Sequence, residues 1–131
     1  MAAQYRATLG TRPGFITQFC FVYVAETERE AHEQTRQTFM RYARYDCGVT
    51  WDGRTDTAEY AALSERMHFL IGTPDQVAER LTQWQREYGF DEIICQLYAA
   101  GMRHEDSLHA IELLGRTVLP PLQSGEPAGA R

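Results

Sequence analysis

The second half of the chain alternates short apolar runs with amphipathic segments, and this pattern constrains the fold more than any other feature. The apolar run 68–71 is followed closely by Thr73, and the apolar residues after it recur at the spacing of a helix. Thr73 is placed to cap that helix, Pro74 takes its first position, and Gln76 completes a capping box. A second apolar run, 92–98, follows the helix. Strands that alternate with helices in this way predict a parallel sheet with right-handed crossovers.

The rest of the chain repeats the pattern twice. Residues 15–24 form an apolar run typical of a strand buried on both faces. A capping box at Thr27 and Glu30 then opens a helix that we predict from Glu28 to Arg44. The last predicted helix runs from His104 to about residue 118, and its predicted buried face consists of Leu108, Ile111, Leu114 or Gly115, and Val118. We therefore predict a single α/β domain of three βα units.

The predicted domain covers residues 1–122, since 131 residues are too few for two separate cores. Turn-forming residues dominate the segment 45–65, which is predicted to be a long mobile loop with one short helical piece near residues 57–63. The polar tail 123–131 is predicted to be disordered.

Composition excludes several classes of function. All 13 basic residues are arginines and the net charge is −5, so we expect no Schiff-base lysine, no P-loop and no nucleic-acid partner. We also expect no membrane association, because no apolar run reaches the length of a membrane span and the first residues lack a signal-peptide core. The 3 cysteines stand far apart, and the histidines lack metal-binding spacing. These features predict a cytoplasmic protein with reduced thiols and no metal.

Three segments, taken in order, resemble the luciferase-like flavin-dependent monooxygenase family. They are VYVAETEREA at 22–31, GTPDQVAERL at 72–81 and GMRHEDSLHAIELLGRTVLP at 101–120. Members of that family are TIM-type (β/α)₈ barrels that use FMN or a deazaflavin. Because a complete barrel takes about 250 residues, the resemblance implies a partial barrel. Its three βα units would correspond to the C-terminal end of a luciferase-like barrel.

The resemblance implies an oxidoreductase that oxidises a small organic substrate with O₂ and reduced flavin, either FMN or a deazaflavin. A partial barrel leaves sheet edges open, so activity would require a partner that completes it. We expect either a homodimer or association with a complementary N-terminal barrel half. The alternative is a non-catalytic truncated barrel that acts as a binding or interaction module without flavin.

Four residues are candidates for the site that this family implies. His104 follows the last strand, where barrel enzymes place active-site groups, and Gln96 lies on that strand as a polar pocket residue, so both are candidate catalytic residues. Gly72 and Thr73 precede a helix N-terminus that could hold a cofactor phosphate. Each also has a structural interpretation: Thr73 as a helix cap, and His104 as a residue that only starts a helix.

A group of aromatic residues supports two further interpretations. They could line a pocket for a planar ligand, or they could pack in the core or at an interface, which is the commoner role. The group comprises Phe15, Phe19, Phe21, Tyr23, Tyr42 and Tyr45. Cys95 is predicted to be a small buried residue and not a nucleophile, since no matched base is evident.

Overall fold

A parallel sheet of three strands organises the computed structural model, which describes residues 2–124. The strands are β1 (Thr17–Val24), β2 (Phe69–Gly72) and β3 (Glu92–Gln96). The helices are α1 (Ala2–Leu9), α2 (Glu28–Cys47), α3 (Ala58–Met67), α4 (Pro74–Tyr88), α5 (His104–Thr117) and α6 (Leu119–Ser124). The predicted alternation of strands and helices is confirmed.

The strand order is β2-β1-β3, so the first strand lies at the centre of the sheet. Successive units of a barrel would instead place β2 between β1 and β3. The α/β character and the parallel sheet are therefore confirmed, while the partial barrel stays a prediction, because this strand order differs from that of successive barrel strands. The connection from β1 to β2 runs toward one edge of the sheet, and the connection from β2 to β3 runs back across β1 toward the other edge. Because both connections are expected to be right-handed, their helices should lie on opposite faces of the sheet.

The two faces of the sheet carry different side chains. Phe21 and Phe69 share one face, and Tyr23, two residues after Phe21, donates a hydrogen bond of 2.9 Å to Gln34 of α2. This face is therefore covered by α2. The opposite face carries Cys20, Val22 and Val24, which are also buried. Since α4 and α5 contact each other and β1, these two helices cover the second face.

The helix boundaries follow local sequence signals. The predicted capping boxes at Thr27 and Thr73 are both present, and Pro74 occupies the first turn of α4. Gly89 ends α4 with φ of 62°, a left-handed conformation that glycine adopts without strain. The cap at Thr73 lets α4 begin directly after β2, and the end of α4 at Gly89 lets β3 begin soon after α4.

Two predicted boundaries need correction. Helix α2 continues to Cys47, and α3 occupies Ala58–Met67, so the predicted long loop 45–65 reduces to residues 48–57. The mobility of this segment stays a prediction. The predicted disordered tail 123–131 lies, from residue 125 onward, outside the described residues, and its first two residues belong to α6.

Helix α5 buries a different face from the one that its apolar residues predict. Leu108 and Ile111 were expected inside, but they are 52% and 42% exposed. Ser107 and Ala110 are buried in their place, while Leu114 and Val118 are buried as predicted. The close approach of α5 to the sheet favours small side chains, which the periodicity of large apolar residues does not reveal.

No helix within residues 2–124 is long and apolar enough to cross a membrane.

Candidate functional site

A cavity of about 270 Å³ lies between the uncovered part of the sheet, the end of α2 and the end of α3. It is lined by Phe19, Phe21, Tyr42, Asp46, Cys47, Arg66, Met67, Phe69 and Gln96. We refer to it as the sheet-face cavity. It is the place where one of the predicted catalytic residues meets part of the predicted aromatic group.

Aromatic rings form the floor of the sheet-face cavity. Phe21 and Phe69 are partners in adjacent strands, and their rings stack with centroids 4.6 Å apart and an interplanar angle of 28°. Tyr42 of α2 packs over Phe69 with a centroid distance of 5.2 Å. Phe19 extends this surface and is 57% exposed. Phe21 and Phe69 are only 2% and 5% exposed, so Phe19 and the partly buried Tyr42 are the aromatic rings of this floor that another group could contact.

Gln96 brings a polar group to this aromatic floor. It is the last residue of β3 and pairs with Phe21 in the middle of β1. Its side-chain amide nitrogen donates to the Tyr98 carbonyl oxygen at 3.1 Å and lies 3.5 Å from the Tyr42 hydroxyl. These contacts engage the nitrogen, so the amide oxygen is the group that Gln96 offers as a hydrogen-bond acceptor.

Three further polar residues line the sheet-face cavity, and the sequence analysis did not single them out. Asp46 and Cys47 come from the last turn of α2, and Arg66 comes from the end of α3. Asp46 lies four residues after Tyr42 and so shares its helix face, a signal that the sequence contained. Arg66 had no such signal, because its position depends on how α3 packs.

Arg66 differs from several other arginines in having no acidic partner. Within residues 2–124, the ion pairs closer than 4.0 Å involve six other arginines, and Arg66 is in none of them. The guanidinium stays charged at any physiological pH. The cavity rim thus carries both an arginine outside these ion pairs and the Asp46 carboxylate.

The sheet surface beside the cavity is open. Ile94 and Tyr98 are 49% and 55% exposed, although both are large apolar or aromatic side chains. Ile94 is the register partner of Phe19 in the pair of β1 and β3, and Tyr98 lies two residues after the end of β3. Of the predicted aromatic group, Phe19, Phe21 and Tyr42 line the cavity. Tyr23 is buried under α2, while Phe15 and Tyr45 are exposed.

His104 lies at a different place from Gln96. It is the first residue of α5, it is exposed, and it does not line the sheet-face cavity. Arg103 before it gives α5 no side-chain cap and instead pairs with Glu105 at 2.8 Å. The loop 97–103 separates His104 from Gln96 along the chain. The catalytic role of either residue stays a prediction.

Gly72 and Thr73 lie at the opposite edge of the sheet from Gln96. Gly72 ends β2 and Gln96 ends β3, and these two strands flank β1 on opposite sides. The Thr73 hydroxyl accepts from the Gln76 amide at 3.4 Å, and the Thr73 amide donates to the Gln76 side-chain oxygen at 2.9 Å. Pro74 has no amide hydrogen, so the backbone N–H of Asp75 is the remaining hydrogen-bond donor at the start of α4. The negatively charged carboxylate of Asp75 lies beside that donor. The predicted cofactor phosphate would therefore compete with an internal cap.

Two cysteines face each other in the middle of the sheet. Cys20 and Cys95 are register partners in β1 and β3, and Cys20 is 1% exposed. Hydrogen bonding to Cys95 and burial raise the pKa of the Cys20 thiol. A protonated, buried thiol is a poor nucleophile, so Cys20 is a small core side chain. Cys95 is only partly buried, and its hydrogen bond to Cys20 lowers its pKa, so the prediction that it is buried and unreactive stays a prediction.

A second cavity, of about 470 Å³, lies on the outer side of α2 against residues 51–56. His32 and Trp51 line it, and the His32 side chain is only 12% exposed. Nδ1 of His32 is 2.8 Å from the Tyr60 hydroxyl. Burial lowers the pKa of His32, and the nearby Glu28 opposes that shift only in part. No group of three or more potential metal ligands occurs within residues 2–124.

The chain has the fold of one part of known monooxygenases. Its structure matches the monooxygenase RslO1 from Streptomyces bottropensis with a TM-score of 0.71 and 22% identity, over 92% of this chain and 36% of that one. It matches apo-MsnO8 with a TM-score of 0.61 and 19% identity, over 88% of this chain and 39% of MsnO8.

A third match is the oxygenating constituent of 3,6-diketocamphane monooxygenase, a type II Baeyer-Villiger monooxygenase from the CAM plasmid of Pseudomonas putida, in complex with FMN. The TM-score is 0.56 and the identity 18%, over 90% of this chain and 37% of the other. The chain thus spans between 36% and 39% of the length of these proteins. No protein-family model and no curated protein matches the sequence.

Proposed function

We propose that the chain is part of a luciferase-like flavin-dependent monooxygenase and oxidises a small organic substrate when a partner completes the barrel. The observation that carries this proposal is the match to RslO1 over 92% of the chain at a TM-score of 0.71. The three sequence segments that resemble the family lie within the matched fold. The FMN complex of the third matched structure supports flavin as the cofactor.

The described residues fit the ring of a flavin better than its phosphate. Phe19, which is 57% exposed, and the partly buried Tyr42 offer aromatic surface to a planar ring, above the buried pair Phe21 and Phe69. The start of α4 offers less to a phosphate, because Thr73 and Gln76 satisfy each other. Phosphate contacts would then come mainly from the completing part of the barrel.

Reduced flavin, when bound, would supply the electrons that activate O₂ for transfer of one oxygen atom to the substrate. The residues of this chain would bind and orient. The aromatic floor would exclude water, and the Gln96 side-chain oxygen would accept a hydrogen bond from a ring N–H or a substrate hydroxyl. The Tyr42 hydroxyl, close to Gln96, would hold that amide in place.

His104 would act from the loop after β3, on the substrate side of the completed site. Its imidazole is exposed in this chain, so a role in catalysis requires the partner to enclose it. The segment 48–57, the remaining part of the predicted loop, would exclude water from the site as a lid. Trp51 anchors the base of that segment, since it is 3% exposed and packs on Phe39 at 4.7 Å.

The completing partner would cover the open side of β3. Within residues 2–124 this strand pairs with β1 alone, and the large side chains Phe19, Ile94 and Tyr98 are exposed. An uncovered edge next to an apolar face is a surface that proteins normally protect. A complementary N-terminal barrel half would supply strands at this edge. Alternatively, a second copy of the chain would cover the same edge in a homodimer.

Flavin titration of the purified chain tests the proposal. We expect FMN, or a deazaflavin in its place, to co-elute with the protein in size-exclusion chromatography and to lose fluorescence on binding. Gln96→Ala should weaken binding, whereas Gln85→Ala, an exposed glutamine on α4, should not. Light scattering on the same column gives the mass of the assembly. Absence of flavin binding at any oligomeric state would contradict the cofactor assignment.

One observation favours the alternative of a binding or interaction module without flavin. The capping box at Thr73 leaves the first turn of α4 with few free donors for a phosphate. In that case, the chain would associate through the face around β3 and remain colourless in the titration. A stable colourless assembly that ignores both flavins would support the module.

A further inference from the structure

We propose that Cys20 and Cys95 form a peroxide-sensitive pair, in which oxidation joins the two side chains in a disulfide bond between β1 and β3. The oxidant would be hydrogen peroxide or a small organic hydroperoxide. Neither flavin nor a partner is needed for this reaction, because both cysteines lie within the described residues. The pair can therefore be tested whatever the outcome of the flavin titration.

The register of the sheet places the two cysteines side by side. Cys20 in β1 and Cys95 in β3 are register partners in a parallel pair of strands. Adjacent strands lie about 4.8 Å apart, and register partners carry their side chains on the same face. A disulfide bond usually joins Cα atoms that are about 4.4–6.8 Å apart, so the separation of the two strands suits one.

The surroundings of the two cysteines differ, and the difference assigns a role to each. Cys20 is 1% exposed, and its hydrogen bond to Cys95, together with burial, raises the pKa of its thiol. Cys95 is only partly buried, and the hydrogen bond from Cys20 lowers its pKa. Peroxides react with the thiolate form of an accessible cysteine. Cys95 would therefore react with the peroxide, and Cys20 would be the resolving cysteine.

Activation of Cys95 would not require the matched base that the sequence lacks. A hydrogen bond donated to the charged form of a group stabilises that form, and the Cys20 thiol is such a donor to the Cys95 sulfur. The same contact keeps the resolving thiol next to the sulfur that it must later attack. Redox-sensitive cysteines are often placed beside a resolving cysteine in this way.

The third cysteine lies apart from this pair. Cys47 ends α2 and lines the sheet-face cavity together with Phe19 and Phe21. Because side chains alternate along β1, Cys20 lies on the opposite face of the sheet from Phe19 and Phe21. The sheet thus separates Cys47 from Cys20, which makes Cys47 an internal control for non-specific oxidation.

The reaction would proceed in two steps. In the first step, the Cys95 thiolate attacks one oxygen of hydrogen peroxide. An S–O bond forms and the O–O bond breaks, and the departing hydroxide takes up the proton that Cys95 had released, which leaves a sulfenic acid and water.

In the second step, the Cys20 sulfur attacks the Cys95 sulfur. An S–S bond forms and the S–O bond breaks, and the departing hydroxide leaves as water with the proton of Cys20. The sum is the two-electron oxidation of two thiols by one peroxide, which is reduced to two molecules of water. An excess of a thiol reductant would break the cross-link again by thiol–disulfide exchange.

Peptide mapping of the peroxide-treated chain tests the proposal. Trypsin cuts after arginine, and the arginines of this chain place each cysteine on a separate peptide. The folded chain is treated with hydrogen peroxide, the remaining thiols are blocked with N-ethylmaleimide, and the digest is kept under non-reducing conditions. We expect the number of free thiols to fall from three to one per chain, with the peptides of Cys20 and Cys95 linked within one chain. Dithiothreitol should restore all three thiols.

Single substitutions test the role of each cysteine. Cys47→Ser is the matched control and should still lose both of its remaining thiols. Cys20→Ala should stop at the sulfenic acid on Cys95, which dimedone labels. Cys95→Ala should keep both of its remaining thiols at the same dose of peroxide.

The absence of a link between the peptides of Cys20 and Cys95 would overturn the proposal. A dominant link that involves Cys47, or one that joins two chains, would overturn it as well. Thiol loss in Cys95→Ala at the rate of the parent chain would overturn the assignment of Cys95 as the reactive residue. The map of the parent chain requires no substitution, so it decides the pairing even if a variant fails to fold.

Discussion

Gln96, the last residue of β3, stands opposite Phe21 in the middle of β1, and Phe21 in turn stands opposite Phe69, the first residue of β2. The end of one edge strand and the start of the other thus meet at a single residue of the central strand. This stagger brings a polar side chain from β3 onto the aromatic pair formed by the other two strands. The sheet-face cavity exists because of this register.

Phe21→Ala should be strongly destabilising. The ring is 2% exposed and stacks on Phe69, so its removal leaves a cavity at the centre of the sheet. We expect the free energy of unfolding to fall by about 3–5 kcal/mol. Phe19→Ala, two residues earlier on the same face but 57% exposed, should cost less than about 1 kcal/mol. Urea denaturation followed by circular dichroism measures both; equal losses would contradict the assigned packing.

Thr73→Ala should remove the cap of α4. The hydroxyl accepts a hydrogen bond from Gln76, and its loss should lower the free energy of unfolding by about 1 kcal/mol. Thr73→Ser keeps the hydroxyl and should restore most of the stability. FMN and riboflavin binding to Thr73→Ala tests the predicted phosphate role in the same sample. A loss of FMN affinity that riboflavin does not share would support that role, and equal effects would remove it.

Tyr88 and Glu65 tie α4 to α3. The Tyr88 hydroxyl donates to Glu65 at 2.9 Å, and Arg80 also pairs with that carboxylate. The hydrogen bond to Glu65 raises the pKa of Tyr88. A double-mutant cycle of Tyr88→Phe and Glu65→Gln should give a coupling of about 0.5–1 kcal/mol, since both groups are partly exposed. A coupling near zero would mean that the contact contributes nothing measurable.

His32 should make stability depend on pH below neutrality. Burial lowers its pKa, so the unfolded chain binds a proton at a higher pH than the folded chain does. The free energy of unfolding should therefore fall as pH drops below 6.5, the ordinary histidine value, toward the lowered folded value. His32→Gln should flatten this part of the profile, and the exposed His104→Gln should not. A profile identical in both variants would contradict the burial argument.

Local signals predicted the helix starts but not the arrangement of the sheet. The caps at Thr27 and Thr73 depend on residues within one turn, so the sequence alone located them. The position of β1 between β2 and β3 depends on which side of β1 each connection takes, and alternation of elements leaves that choice open. The buried face of α5 could not be predicted from the sequence either. Leu108 and Ile111 fit the helical period as well as the residues that are buried.

The candidate site was predicted in part. Gln96 and Tyr42 could be singled out from the sequence. A polar group on a buried strand or helix needs a hydrogen-bond partner or a polar pocket. Arg66 and Cys47 reach the same cavity only because two helices end there, which depends on tertiary packing. The predicted pairs Gly72–Thr73 and Gln96–His104 lie on opposite edges of the sheet, a separation that only the strand order reveals.

The central position of the first strand sets the order in which the chain can fold as it leaves the ribosome. β1 precedes the other two described strands, yet Thr17 pairs with Glu92, 75 residues later. Until β3 emerges, the first half of β1 has no neighbour, and its aromatic face stays exposed to other chains and to chaperones. Such distant pairings also slow folding, because a long loop must close before the contacts form. Of the three strands that the structure describes, β3 is made last, and its arrival completes the pairing of β1.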